Sequence, residues 1–214
     1  MTIPRNFRNT AENIIASYSY TDVAEGTGII NFLGMATKDS AATEYVLSQN
    51  AYYSSEVESA ISGGTAGAFT KYLDLDFDLS SFNLPQSIGG TGIFSIPWGE
   101  ITTGYSYGAY IIVRVKKNDV ELVSVQSDTV NPGGAAANFW DLALLQATIP
   151  QTHFKKGDVL RVTIELWASK VGGSSPVGTF YIFHDPKDRK NATATTLGID
   201  TTIIQLGIPF RIDV

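Results

Sequence analysis

The 214 residues suit one domain of sandwich or barrel size, long enough to bury a core without disulfide staples. Only 17% of residues are charged and the net charge is −6, so no basic stripe offers a footprint for nucleic acid. There is no cysteine, which excludes disulfides, thiolate metal sites and a cysteine nucleophile, and no apolar run approaches the ~20 residues of a membrane-spanning helix.

Residues 1–10 are polar and carry Arg5, Phe7 and Arg8; they read as an N-terminal arm ordered by a neighbour, with the domain proper over 11–214. The opening "MTIPRNFRNTAENII" lacks the apolar stretch of a secretory leader. From about residue 14 the pattern is β: "IIASYSYTDVA" alternates, a turn at Glu25-Gly26 follows, and "GIINFLGMA", "TEYVLSQN" and "YYSSEVESAI" continue it. "SGGTAGA" is a loop. "KYLDLDFDL" then sets Leu73, Leu75, Phe77 and Leu79 on one face and Tyr72, Asp74, Asp76 and Asp78 on the other, the alternation of a strand with one dry side.

"NLPQSIGGTGIFSIPWGEITTGYSYG", rich in Gly, Pro and aromatics, reads as loops around one short strand. "AYIIVRVKKNDVELVSVQS" is the clearest hairpin, two β-branched runs around Lys117-Asn118-Asp119. In "FWDLALLQATI", Phe139, Leu142 and Leu145 have helical spacing, but the context favours a strand. "THFKKGDVLRVTIELWAS" turns at Lys156-Gly157-Asp158 into another strand, "TFYIFH" adds one more, "DPKDRKNATATT" reads as a polar loop, and "TIIQLGIPFRIDV" is a strand broken near Pro209. Eight to ten strands, no repeat and no linker give an all-β protein: a single antiparallel β-sandwich of jelly-roll type.

Asp74, Asp76 and Asp78 are the first candidate site, because strands disfavour Asp and like charges on one face repel. As a calcium loop the stretch starts correctly and then fails, with Leu79 where Gly is needed and Pro85 where the bidentate Glu is needed. As a glycosidase pair, adjacent carboxylates have a permissible spacing that any alternating strand supplies, with Glu165 the only further acid worth adding. The economical reading is a wet face neutralised by a cross-strand partner such as Arg114 or Lys116, with no metal and no cofactor.

"GYSYG" matches G-x-S-x-G with Ser106 as nucleophile, but strand follows it where the motif needs a helix. His153 and His184 lack metal-ligand spacing, and "GGTG" lacks the helix and Lys of a phosphate loop. Asn191-Ala192-Thr193 is a glycosylation sequon of the kind that arises by chance. Trp98, Tyr105, Tyr107 and Tyr110 crowd a Gly-rich region, either as a ring platform for sugar, or as core and loop packing or a protein contact.

"ASYSYTDVAEGTGIINFLGM", "FKKGDVLRVTIELWAS" and "IPFRIDV" resemble segments of virion structural proteins of tailed phages: an aromatic-alternating strand before a Gly-x-Gly turn, a Gly-Asp turn opening a long late strand, and an apolar final strand. The Gly-Asp turn and its strand also look like the later strands of trimeric jelly rolls of the tumour-necrosis-factor and C1q type. The resemblance implies a virion location and a capsid decoration (cement) or minor capsid protein. Such a protein is not an enzyme; it contacts the major capsid protein or other virion proteins and is a homo-oligomer, a trimer by preference. It carries over no catalytic residue and implies neither nucleic-acid nor membrane binding. The second expectation is a carbohydrate-binding jelly roll of a tail fibre or lectin type.

Overall fold

The computed structural model describes residues 16–17, 27–39, 42–52, 54, 56–63, 67–101, 107–130, 138–170 and 178–211. The expected arm with Arg5, Phe7 and Arg8, the turn at Glu25-Gly26, and Tyr105 and Ser106 lie outside them.

Among the described residues twelve strands form one connected set of ladders. They are β1 (Ala16–Ser17), β2 (Thr27–Asp39), β3 (Ala42–Ser48), β4 (Glu58–Gly63), β5 (Thr70–Asp78) and β6 (Gln86–Ile101). Then come β7 (Tyr107–Lys117), β8 (Val120–Gln126), β9 (Phe139–Phe154), β10 (Leu160–Lys170), β11 (Gly178–Phe183) and β12 (Ile204–Arg211), with one helix among the described residues, α1 (Ala192–Leu197).

Eight strands make the sandwich. One sheet runs β2–β12–β6–β9 and the other β5–β10–β7–β8, every neighbour antiparallel. Among these eight, the first lies beside the last and the second beside the seventh, which is the winding of a jelly roll. β3 pairs antiparallel with β2 and touches β5 through one parallel pair, Val46 with Asp78, so it bridges the two sheets along one side. β11 pairs with the C-terminal residues of β6, Trp98 to Ile101, and β4 pairs with β11, widening the first sheet at that end.

Period-two burial builds the core. Leu73, Leu75 and Phe77 of β5, Phe94, Ile96 and Trp98 of β6, Ile111, Val113 and Val115 of β7, Val162, Ile164 and Leu166 of β10, and Leu206 and Ile208 of β12 are all buried in one cluster. A smaller cluster of Phe183, Ala194, Leu197 and Ile199 seats α1 against Ile101, Trp140 and Tyr181.

The region read as loops around one short strand is β6, a 16-residue strand. Its glycines mark close approach rather than turns. A Cβ on Gly89 would sit 2.9 Å from the Cα of Gln151 in β9, and one on Gly99 would sit 2.8 Å from the carbonyl oxygen of Phe139. Pro97 is tolerated because it falls between the two partners of that edge, β12 up to Ser95 and β11 from Trp98. Gly99→Ala is expected to destabilise by about 1–3 kcal/mol, because the added methyl meets backbone that cannot turn away; chemical denaturation measures it.

β9 is a strand, as its context suggested: Ala143, Leu145, Ala147 and Ile149 are buried while Leu144, Gln146 and Thr148 are exposed. The β7–β8 hairpin turns on Asn118 (φ 46°) and Asp119 (φ 69°), both left-handed as a two-residue type I′ turn requires. Within the stretch read as a polar loop, Asn191 caps α1 by accepting a hydrogen bond from the Ala194 amide at 2.8 Å, and Gly198 ends it at φ 72°. The sequon asparagine is thus a helix cap.

Candidate functional site

The outer face of the β5–β10–β7–β8 sheet is a lattice of charges. Register sets Asp78 opposite Arg161 and that opposite Lys116, Asp76 opposite Thr163 and that opposite Arg114, and Asp74 opposite Glu165. Arg161 grips Asp78 with two hydrogen bonds, Nε to Oδ1 at 2.6 Å and Nη2 to Oδ2 at 2.7 Å, and also reaches Asp76 and Asp119. The Thr163 hydroxyl donates to Asp76, and Lys116 Nζ lies 3.7 Å from the same carboxylate. Lys71 pairs with Asp74.

Lys116 is therefore the partner the sequence suggested, whereas Arg114 turns to Glu165 (Nε to Oε1 at 3.1 Å) and to Glu121 (2.7 Å). Arg161 is the principal cation, and sequence reasoning missed it although Arg161, Thr163 and Glu165 alternate along β10 just as the acids do along β5. Glu165 is nearly buried. Burial alone would raise its pKa, but hydrogen bonds from Arg114 and from the Trp167 indole hold it below the ordinary carboxylate range.

Each acid of the trio faces its own partner, and among the described residues no three metal-ligating side chains converge. Removing Arg161 takes from Asp78 its bidentate partner and from Asp76 one of its two cations, while Lys71 still faces Asp74. Arg161→Ala should cost about 1–2 kcal/mol, more at low salt than at high salt, by denaturation in the two buffers.

The aromatic candidates are split apart. Trp98 is not on a surface: it is 1% exposed and packs edge-on against Phe139 at 5.5 Å, because it shares the inward parity of Phe94 and Ile96. Of Tyr107 only the backbone, in β7, is described. Tyr110 does face outward, stacked on Trp167 at 6.3 Å and meeting the exposed Phe69 at 4.9 Å. Trp167 and Phe69 were not singled out in the sequence; the β7–β10 register is what brings Trp167 opposite Tyr110.

Two of the buried ionisable groups carry large shifts. Glu100, on the inward face of β6, is buried, and burial pushes its pKa up to about 8. His184, just after β11, is fully buried and its pKa is pushed down by burial to about 4. Its Nε2 lies 2.9 Å from the Ser59 hydroxyl, which is 2.7 Å from the Tyr45 hydroxyl, so the three groups tie β3, β4 and the end of β11 together. His153, by contrast, is exposed, with Nδ1 3.2 Å from Ser87 Oγ.

The outer face of the β2–β12–β6–β9 sheet is unlike the charged one. It presents Ile29, Asn31 and Leu33 from β2, Gln205 and Gly207 from β12, Thr91, Ile93 and Ser95 from β6, and Leu144, Gln146 and Thr148 from β9. None is charged. Leu144 is 68% exposed and Ile93 44%. A shallow depression of about 230 Å³, centred on Gly207, is lined by Ile29, Asn31, Ile93, Ser95 and Gln205.

No protein-family model matches the chain, and no curated protein does. Solved structures are similar to it over part of their length. One is an α-amino acid ester hydrolase, with TM-score 0.48 and 9% identity over 84% of this chain and 36% of that one. Another is a CocE/NonD family hydrolase from Staphylococcus aureus, with TM-score 0.41 and 11% identity over 84% and 36%. A third is the VP2 subviral particle of infectious bursal disease virus, with TM-score 0.33 and 11% identity over 87% and 37%. The chain thus spans little more than a third of each. The hydrolase neighbours overturn the expectation that the chain is not an enzyme; the likeness itself is one of all-β fold. The capsid neighbour shows that a virus shell protein is among the structures this chain resembles.

Proposed function

We propose that the chain is a virion structural protein, a decoration or minor capsid protein of a tailed phage, that binds other virion proteins through the outer face of the β2–β12–β6–β9 sheet. The observation that carries this reading is the contrast between the two faces. One is a closed network of ion pairs. The other is uncharged over eleven positions on four strands, with apolar side chains set among Asn, Gln, Ser and Thr. Depletion of charge at the centre of a patch is the compositional mark of a protein contact. Binding there would add stability to a shell by burying area between subunits.

The test is quantitative mass spectrometry of purified particles, counting this chain against the major capsid protein. A copy number comparable with that of the shell subunits supports decoration; a handful per particle moves the chain to the tail or a fibre. Absence from particles overturns the virion reading. A fibre location would favour the second reading, sugar recognition at Tyr110, Trp167 and Phe69, seen as a saccharide-dependent rise in melting temperature that Trp167→Ala removes.

A further inference from the structure

The C-terminal end of β6 and the start of β9 put four side chains on the inner face of the first sheet. Trp98 and Glu100 keep the parity of Phe94 and Ile96, and Phe139 and Asp141 keep that of Ala143 and Leu145. Register sets Trp98 opposite Asp141 and Glu100 opposite Phe139, and the Phe139 ring packs on Trp98 at 5.5 Å. Trp98 and Glu100 are buried, whereas Asp141 is half-buried. Two of these side chains carry a buried polar atom that meets no hydrogen-bond partner among the described residues: the indole Nε1 of Trp98, a donor, and Oε1 of Glu100, an acceptor. Asp141 Oδ1 accepts from the Leu142 amide at 2.8 Å, and its carboxylate has capacity to accept again. A buried polar atom without a partner carries its full desolvation penalty, and protein interiors commonly satisfy such atoms with ordered water.

We infer that this end of the core holds one internal water, which accepts a hydrogen bond from the Trp98 indole and donates to Glu100 and Asp141. The set of donors and acceptors selects the occupant. A metal cation or an ammonium group cannot accept from an indole N–H, and an anion without a proton cannot donate to a carboxylate; water does both. One accepted and two donated bonds make the about three that a buried water usually has. Strand geometry allows the bridge. Trp98 and Glu100 are two residues apart on one face, ~6.7 Å at a rise of ~3.3 Å per residue, and a water with two hydrogen bonds of ~2.9 Å links atoms up to ~5.5 Å apart. Burial is the only cause of the raised pKa of Glu100, with no donor offsetting it, which agrees with a carboxyl that no protein group serves. That carboxyl keeps an acceptor oxygen whether or not it is protonated, so the water serves both states.

The water site lies inside the sandwich, apart from the face assigned to virion contacts, so its test is independent of that reading. Rotating-frame Overhauser spectroscopy of the labelled full chain reads it at the Trp98 indole proton, assigned through bonds to its own backbone. That proton should show a direct dipolar cross-peak to a long-lived water, with the sign that separates contact from chemical exchange. Glu100→Gln keeps an acceptor oxygen and should keep the cross-peak. Glu100→Leu removes the acceptor and should abolish it, and water-oxygen relaxation dispersion should count one long-lived water fewer in Glu100→Leu than in Glu100→Gln. No cross-peak in the wild-type chain, a cross-peak undiminished in Glu100→Leu, or a crystal structure with a protein group hydrogen-bonded to the indole nitrogen would each overturn the site. If Glu100→Leu does not fold, the wild-type spectrum decides alone.

Discussion

The unfolding free energy should be nearly level from about pH 4.5 to 6.5 and then fall by about 2 kcal/mol between pH 6.5 and 8. Two buried groups with opposite shifts produce this profile. Glu100 has its pKa raised from 4.5 to about 8, so the folded chain keeps a proton that the unfolded chain releases. Its contribution is complete below pH 4.5 and is lost as pH rises through 8. His184 has its pKa lowered from 6.5 to about 4, so the folded chain refuses a proton that the unfolded chain takes up. That contribution is complete above pH 6.5 and is lost as pH falls. Between 4.5 and 6.5 the two slopes, each about 1.4 kcal/mol per pH unit, cancel. Above 6.5 the Glu100 slope is no longer opposed by His184. Glu165, held low mainly through Arg114, matters below this window and leaves it untouched.

Glu100→Gln separates the two terms. It should abolish the decline above pH 6.5 and uncover a rise from 4.5 to 6.5 that belongs to His184. Urea denaturation at half-unit pH steps reads both slopes, and a decline that persists in Glu100→Gln would refute the assignment.

Phe77→Ala should be the most destabilising single change in β5, at about 3–5 kcal/mol by chemical denaturation. Phe77 is fully buried, with Tyr45 at 5.3 Å and His184 at 6.5 Å between ring centres, so its loss opens a cavity where β3, β5 and the end of β11 meet. The adjacent Asp76→Asn should cost about 1 kcal/mol or less, since the amide oxygen still accepts from Thr163 on a partly solvated face. The ratio between neighbouring positions is the energetic form of the strand's alternation.

That alternation is why β5, β10 and the β7–β8 hairpin were legible in the sequence, and with them the wet face of Asp74, Asp76 and Asp78. β6 was not legible. Its Gly and Pro signal turns locally, yet here they answer to the backbone of β9 and to the gap between β12 and β11, which no local pattern encodes. Trp98 was left between surface and core for the same reason: with 83–108 read as loops around one short strand, its inward parity with Phe94 and Ile96 was invisible. Arg161 could have been found from the shared alternation of β5 and β10, but only by knowing that the two strands are neighbours. The uncharged face draws on residues 29–33, 91–95, 144–148 and 205–207, segments that become one surface only through the jelly-roll winding.

The position of β12 carries a consequence for when the fold can form. β12 lies between β2 and β6, so the larger sheet has a missing middle strand until residues 204–211 have been synthesised. A chain emerging from the ribosome can build the hairpin of β7 and β8 early, because its contacts are local. It cannot join β2 to β6 until nearly the whole described sequence is available. Pairings that distant close slowly, and the waiting strands expose their edges meanwhile. A message or chain cut short before β12 would therefore yield an aggregating species rather than a smaller folded one. Whatever assembly this protein enters would receive only chains that had been completed through β12.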